Sequence, residues 1–573
     1  MSRRAHGARF AAAVAAAALV AGAAIADAAT ITIVNKDGLN EGFNDNTVVS
    51  AVGGNTATTR GTQRLAVFNR AAQIWGALLP STVTIKVDAT MDPMAPCDAT
   101  SGVLGAAGSL QVFANFAGAE FQNTYYPSAL ANKLAGTDLN ANSSDIQAQF
   151  NSSVDNSTCL GTSNWYYGFD HNEGTNVDLL ATVEHELGHG LGFQSFANGA
   201  SGAELGGLPD VFIKFLYDDT QGLSWDQMTD AQRAASAINT NNLTWRGPLT
   251  HQKASTFLGK RPFVRFEGDA AVAAGIAGNR AFGTAQYGPA LKFPPLTAEI
   301  ALVNDGVAPT SDGCESPFAN GAALNGKIAL IDRGTCTFVL KTEDAENEGA
   351  VAVIIINNVA SPPVINMSGS SSTLIPTVSI SQADGAALKN ALLSGPVTAT
   401  LGTEPARLAG ADDNGWPLMY APIPYQSGSS VSHFDISAFP NALMEPAINL
   451  DLTDNTDMTL TALQDIGWTT RQLGVSLPDG TPLRLEPGAP NPFRVRTALR
   501  YALPKAGLTE MRIFDIGGRM VKQVMRPVWM PAGSGSIVWD ATDERGWRVA
   551  PGVYLYRMTS AGTTVTQRVV VSD

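Results

Sequence analysis

Residues 185–189 read His-Glu-Leu-Gly-His. Positions i and i+4 lie one turn apart on the same helix face, so on a helix the two imidazoles converge on one point with Glu186 beside them. Two neutral imidazoles are good zinc ligands, and a carboxylate one residue round the helix sits where a general base is needed without having to bind the metal. The surrounding sequence predicts that helix. Leu179, Leu180, Val183, Leu187 and Leu191 recur every three or four residues as one buried stripe, and Gly190 and Gly192 close it. Of only six histidines in the chain, two bracket this glutamate in an otherwise apolar helix.

A catalytic zinc takes three protein ligands and keeps one position open. The contiguous pattern H-E-x-x-H-x-x-G-x-x-H matches through Gly192, but its last position holds Ser195, a poor ligand. The third donor must come from elsewhere. His6 lies in the N-terminal leader; His171, His251 and His433 remain, with Glu204 and Asp210 as carboxylate alternatives. Context favours His433, in S-S-V-S-H-F-D, followed by N-A-L-M-E-P at 441–446 and T-L-T-A-L-Q-D-I-G-W at 459–468; His171 and His251 read as surface or hydrogen-bonding residues.

Those segments resemble the leishmanolysin-like zinc metalloproteases, a metzincin-type family. There the third histidine is displaced far downstream by an insertion, a Leu-Met-x-Pro turn follows, and a helix ending in Asp-x-Gly-aromatic comes next. The resemblance covers the catalytic segments, not the whole chain. It implies one zinc ion bound by His185, His189 and His433, Glu186 as the catalytic base, and Met444 in a Met-turn beneath the metal. The interval between His189 and His433 is far longer than the family's usual separation, and an inserted module accounts for it.

The remaining elements arrange themselves around that centre. Arg3, Arg4 and Arg9, the apolar run from Phe10 to Ile25 and the small residues at Ala26 and Ala28 predict a secretory signal peptide over 1–29. Strand-like Thr30–Val34, a helical pattern over Arg60–Leu79 and alternating Val83–Val87 open an α+β domain, and the Gly/Asn/Ser-rich stretch from Asp92 to Gly174 predicts loops and edge strands. Residues 325–358 and 375–381 alternate short apolar runs with a helix, as a compact α/β domain with buried strands does. This stretch resembles a protease-associated (PA) domain, which implies a non-catalytic lid, a recognition module or a spacer. From Leu485 onward, strand-like segments with turns about every ten residues predict an all-β sandwich. It resembles the FlgD-type immunoglobulin-like domain, which implies sorting, tethering or stabilisation. The expected organisation is a multidomain chain: signal 1–29, a metalloprotease domain in two parts at 30–290 and 404–472, a PA insertion at 291–403 and an immunoglobulin-like domain at 473–573.

Composition bounds the partners. The net charge of −14 argues against nucleic acid and anionic lipid, which need clustered Lys and Arg, and no segment after the signal reads as a membrane span. Four cysteines fit an oxidising compartment, and near-neighbour pairing predicts Cys97 with Cys159 and Cys314 with Cys336, the latter within the PA-like stretch. Asp451, Asp454 and Asp457 form an acidic loop that calcium would suit, but the loop lacks an EF-hand's Gly and Glu and reads better as a solvated turn. The triplets at Asn142, Asn151 and Asn156 carry little weight as glycosylation sites in such a loop-rich region. These readings imply a secreted or cell-surface bacterial zinc endopeptidase acting on protein or peptide substrates. The alternative is a catalytically inactive surface adhesion protein on the same scaffold, since two of the modules have no chemistry of their own.

Overall fold

The computed structural model describes residues 28–572 apart from 100, 157, 449–451, 453–456, 470–482, 495, 505–506, 531–532 and 545–546. The leader expected over 1–29 falls, up to residue 27, outside the described residues. Apolar side chains gather into separate bodies. One core draws on Ala29 to Leu258 and again on Ala411 to Trp468. Two adjoining clusters lie between Val264 and Leu401, and another runs from Leu483 to Val571.

In the first body, β1 (Ile31–Asn35), β2 (Ile85–Asp92), β3 (Gly105–Ser109) and β4 (Ile146–Asn151) form a sheet ordered β1-β2-β4-β3. The first three strands in that order run parallel, and β3 is antiparallel at the edge. Helices α1 (Arg60–Leu78), α2 (Ser128–Ala135) and α3 (Leu179–Leu191) complete this part. α1 turns Val67, Phe68, Ala71 and Trp75 inward, and the Trp75 indole N–H donates to the Glu184 carbonyl at 3.0 Å, anchoring α3. Both α2 and β4 lie where only loops and edge strands were expected. β4 is an inner strand: Ile146, Ala148 and Phe150 are buried while Gln147 and Gln149 alternate with them, so half its residues are polar and its flanks are Asp145 and Ser152.

The inserted body contains β5 (Lys260–Glu267), β6 (Leu296–Leu302), β7 (Ile328–Asp332), α4 (Phe338–Asn347), β8 (Ala352–Ile356), β9 (Thr377–Ile380), α5 (Gln382–Ser394) and β10 (Thr398–Leu408). Its eight-stranded sheet runs β5-β10-β6-β7-β8-β9, with short strands Gly278–Arg280 and Gly283–Thr284 outside β5 and β9 respectively. β6 to β9 are parallel, and both β5 and β6 pair antiparallel with β10. The sheet thus begins at Lys260, well ahead of the expected start at 291. Lys260 faces Leu408 across the ladder, and the Ala409 N–H donates to the Gly259 carbonyl at 3.0 Å. The long excursion therefore leaves the first body and returns to it at one point.

In the tail, the strands Arg484–Leu485, Thr497–Leu503 and Gly533–Trp539 make one antiparallel sheet. Gly507–Asp515, Met520–Met530, Gly552–Ser560 and Thr563–Val571 make a second. Leu499, Tyr501 and Leu503 from the first share a core with Met511, Ile513, Tyr556 and Met558 from the second. Among the described residues no helix is long and apolar enough to cross a membrane.

Candidate metal centre

α3 starts at Asp178, whose Oδ1 accepts the Leu180 and Ala181 N–H groups at 2.8 and 3.3 Å, an N-cap that satisfies otherwise orphaned donors. Its other oxygen takes His171 Nδ1 at 2.6 Å. At the far end Gly192 adopts a φ of +123°, and the Trp468 indole N–H donates to the Leu191 carbonyl at 2.8 Å. Mid-helix glycine costs about 1 kcal/mol, and here close packing explains it. A Cβ on Gly190 would lie 2.4 Å from Ile146 Cγ2 of β4, and one on Gly188 would lie 2.8 Å from Met444 Sδ.

Every residue of α3 is buried, including His185, Glu186 and His189. His433, from the segment after the insertion, joins them. The Nε2 atoms of His185 and His189 are 3.2 Å apart, and that of His433 lies 3.2 Å from His189 and 3.3 Å from His185. Each ring turns its Nδ1 to a backbone carbonyl: Leu443 at 2.7 Å, Phe193 at 2.8 Å and Ser429 at 2.7 Å respectively for His185, His189 and His433. A carbonyl only accepts, so each Nδ1 carries the proton and three bare Nε2 lone pairs face one another. Burial keeps them bare: it holds His185 down to about 4, His189 down to about 3 with His185 adding to the effect, and His433 well below its ordinary value.

Three facing lone pairs without a proton among them repel unless a cation lies between. Nitrogen donors 2.0–2.1 Å from a tetrahedral centre sit about 3.3–3.4 Å apart, close to the spacing found. The donor set therefore fits zinc. Glu186, also buried, is held by the backbone of Ala107 in edge strand β3, and burial pushes its carboxyl up to about 8 in the metal-free chain.

The alternative donors are engaged elsewhere. Glu204 pairs with Arg233 at 3.1 Å. Asp210 accepts from Ser195 Oγ at 3.1 Å and from the N–H groups of Phe196 and Ile213 at 2.6 and 2.9 Å. Ser195, at the position where the contiguous pattern has its last histidine, also donates its N–H to Ser432 Oγ at 3.1 Å, one residue before His433. It thus helps to hold the segment that brings the distant imidazole. His251 hydrogen-bonds the Asn414 carbonyl at 3.2 Å and stacks on Trp416.

Met444 is fully buried against α3, its carbonyl accepting from the Phe434 N–H at 2.8 Å. Its neighbour Leu443 is fixed by Asp457, which takes the Leu443 N–H and caps the helix α6 (Met458–Leu463) through the Thr459 N–H at 2.7 Å. Asp451 and Asp454 lie outside the described residues. The solvated-turn expectation fails at Asp457, which is buried. The signal for its role was the carboxylate standing immediately before the M-T-L-T-A-L run, an N-cap position. Asp465, likewise unassigned from sequence, accepts from Trp245 Nε1 at 3.1 Å and from the Leu249 N–H at 2.9 Å, tying this segment to the one before the insertion. Asn151, a glycosylation triplet, is buried and bonds the Val103 carbonyl at 2.8 Å. Cys97 pairs with Cys159 and Cys314 with Cys336, leaving no free cysteine.

Residues 296–388 match the family model of the PA domain. A probable leucine aminopeptidase 2 of Aspergillus fumigatus is 38% identical over 122 residues, 21% of this chain and 22% of that protein. The minor extracellular protease Vpr of Bacillus subtilis is 32% identical over 102 residues, 18% of this chain and 12% of that protein. A solved zinc aminopeptidase from Bacillus subtilis is 28% identical, covering 27% of this chain and 36% of its own, with a TM-score of 0.18. The chain spans about a fifth or less of these curated relatives, and a match of 122 residues cannot contain both His185 and His433, which are 248 positions apart. The chain is a multidomain α/β protein that carries a PA domain and is similar to peptidases over about a fifth of its length.

Proposed function

We propose that the chain is a secreted zinc endopeptidase of leishmanolysin-like, metzincin type. One observation carries this reading: three buried imidazoles, two from α3 and one from beyond the insertion, turn bare Nε2 atoms to a common point with Glu186 alongside. His185, His189 and His433 would hold the metal, and zinc, when bound, supplies a Lewis acid that acidifies water and polarises a carbonyl. Glu186 takes the proton of the attacking water and passes it to the leaving amine. Burial raises the proton affinity of its carboxyl in the metal-free chain, which favours the accepting half of that task. Met444 fills the floor beneath the histidines, and the Leu443 carbonyl keeps His185 in the right tautomer.

Edge strand β3 supports internal cleavage. It is built of Gly and Ala up to Ser109, and a Cβ on Gly105 would lie 3.2 Å from Glu186 Cγ. An extended peptide can add to such an edge through its backbone, which requires no free terminus. The matching PA domain would then be a lid or recognition module, and the tail an immunoglobulin-like unit for sorting or attachment. The deciding experiment uses a peptide blocked at both ends. Cleavage at an internal bond, abolished by a zinc chelator and restored by zinc, is the expected result. Release of single residues from unblocked peptides only would make the enzyme an exopeptidase, and no hydrolysis by zinc-loaded protein would favour the adhesion alternative.

A further inference from the structure

A second cluster of metal-ligand type lies in the insertion, in the loop between β6 and β7. Asp305, Asp312 and Glu315 each place a carboxylate oxygen within 4.8 Å of the others. Asp305 is 5% and Asp312 3% exposed, while Glu315 faces solvent. Most of the oxygens on the two buried aspartates have protein donors. Asp305 accepts the Val307 N–H at 3.2 Å and the Gly313 N–H at 2.8 Å, and Asp312 Oδ2 accepts the Thr335 hydroxyl. Asp312 Oδ1 is buried and meets no donor. A buried acceptor left without a partner costs roughly 1–3 kcal/mol, and more when it is charged.

Charge points the same way. The fully buried Lys341 ammonium donates to the Asp312 carbonyl oxygen and lies 3.2 Å from Cys314 Sγ, so it sets one positive charge against three carboxylates. A divalent cation would balance what remains. Both nearby sulfurs are committed to the Cys314–Cys336 bridge, and the cluster contains no imidazole. An all-oxygen donor set belongs to a hard ion rather than to zinc.

We propose that Asp305, Asp312 and Glu315 form a calcium site in the PA-type insertion, with Asp312 Oδ1 a direct ligand and Glu315 the gate on the solvent side. The site pins the loop after β6 to the disulfide. It is separate from the histidine cluster and from the acidic loop at 451–457. Two buried ligands and one exposed ligand suit the modest affinity of extracellular calcium modules, on the order of 10⁻⁴–10⁻³ M.

The test uses the zinc-loaded full chain stripped of calcium and dialysed against ⁴⁵Ca²⁺, with the thermal midpoint followed as calcium is added. One calcium per chain and a rising midpoint are expected. Asp312→Asn and Glu315→Gln should each weaken binding by about tenfold or more, because site affinity follows the charge count of its ligands. Glu315 is exposed, so its variant keeps the test sound even if Asp312→Asn fails to fold. No binding up to about 10 mM, well above the range of such modules, would overturn the proposal. So would binding by both variants as tight as that of the parent chain; Lys341 would then be the cluster's sole counter-charge.

Discussion

Strand β8 and helix α3 are both buried along their whole length, yet they bury opposite things. β8 reads Ala-Val-Ile-Ile-Ile and hides no polar group beyond its backbone, which the parallel neighbours β7 and β9 satisfy. α3 hides Glu184, His185, Glu186 and His189 within thirteen residues. Burial of the first kind is a source of stability, about 25 cal/mol per Å² of apolar surface. Burial of the second kind opposes stability, because each ionisable group gives up its hydration. On α3 burial displaces pKa values in both directions, Glu186 up and His185 and His189 down, and strongly displaced groups of this kind cluster at functional sites.

The widest separation between the two regions should appear in Glu186→Gln. Activity on a blocked peptide is expected to fall about 10²–10⁴-fold, the usual share of a general base, while zinc content by mass spectrometry stays near one per chain. The thermal midpoint should hold or rise, since a buried acid becomes a neutral amide. A clear drop in that midpoint would break the contrast. The counterpart in β8 is Ile354→Ala, a fully buried side chain. About 2–5 kcal/mol of stability should be lost, measured by urea unfolding, with zinc content unchanged.

Acid sharpens the comparison. Burial holds His185 down to about 4, against an ordinary value of 6.5, so the folded metal-free chain binds fewer protons than the unfolded chain between those values. Stability contributed by the bare imidazole is present above pH 6.5 and lost as pH falls to about 4. Metal-free parent protein should therefore lose stability over that window relative to metal-free His185→Asn. The pairing cancels Asp210 and Asp465, which burial pushes up to about 6 and which act in the opposite sense. Parallel urea midpoints at pH 7, 5.5 and 4.5 would remove the imidazole from this account.

A smaller effect is expected where the two kinds of burial meet. Gly188→Ala sets a Cβ 2.8 Å from Met444 Sδ. Overpacking of this kind costs about 1–3 kcal/mol, and the displaced Met444 turn should weaken zinc retention on dialysis. Ser195→Ala should do least. It removes the hydroxyl's bonds to Asp210 and from the Ala197 N–H, each worth about 1 kcal/mol, and leaves the zinc content intact.

What was legible in the sequence follows the range of the interactions involved. α1 and α3 were readable because apolar spacing and capping are local. The parallel strands β7 and β8 were readable because burial on both faces leaves unbroken apolar runs. β4 was not, since its core-facing side chains alternate with glutamines. β5 escaped for a related reason: Lys260, Arg261, Pro262 and Arg265 break up its apolar residues, and only pairing with β10 makes it part of the inserted sheet. Asp457 and Asp465 looked like loop and helix acids, yet the buried Asp457 and the half-buried Asp465 each accept backbone N–H groups from a distant or neighbouring turn.

The pair His185 and His189, with Glu186 beside it, was determined by the sequence alone, because an i, i+4 spacing on a helix is set by backbone geometry within one turn. The third imidazole was a matter for tertiary structure. His433 reaches the pair because β5 and β10 close the insertion at Gly259 and Ala409, and because Ser195 and Trp468 then tie the returning chain to the C-terminal end of α3. The Ser195 and Trp468 bonds join residues 237 and 277 positions apart, and no local preference encodes such distances.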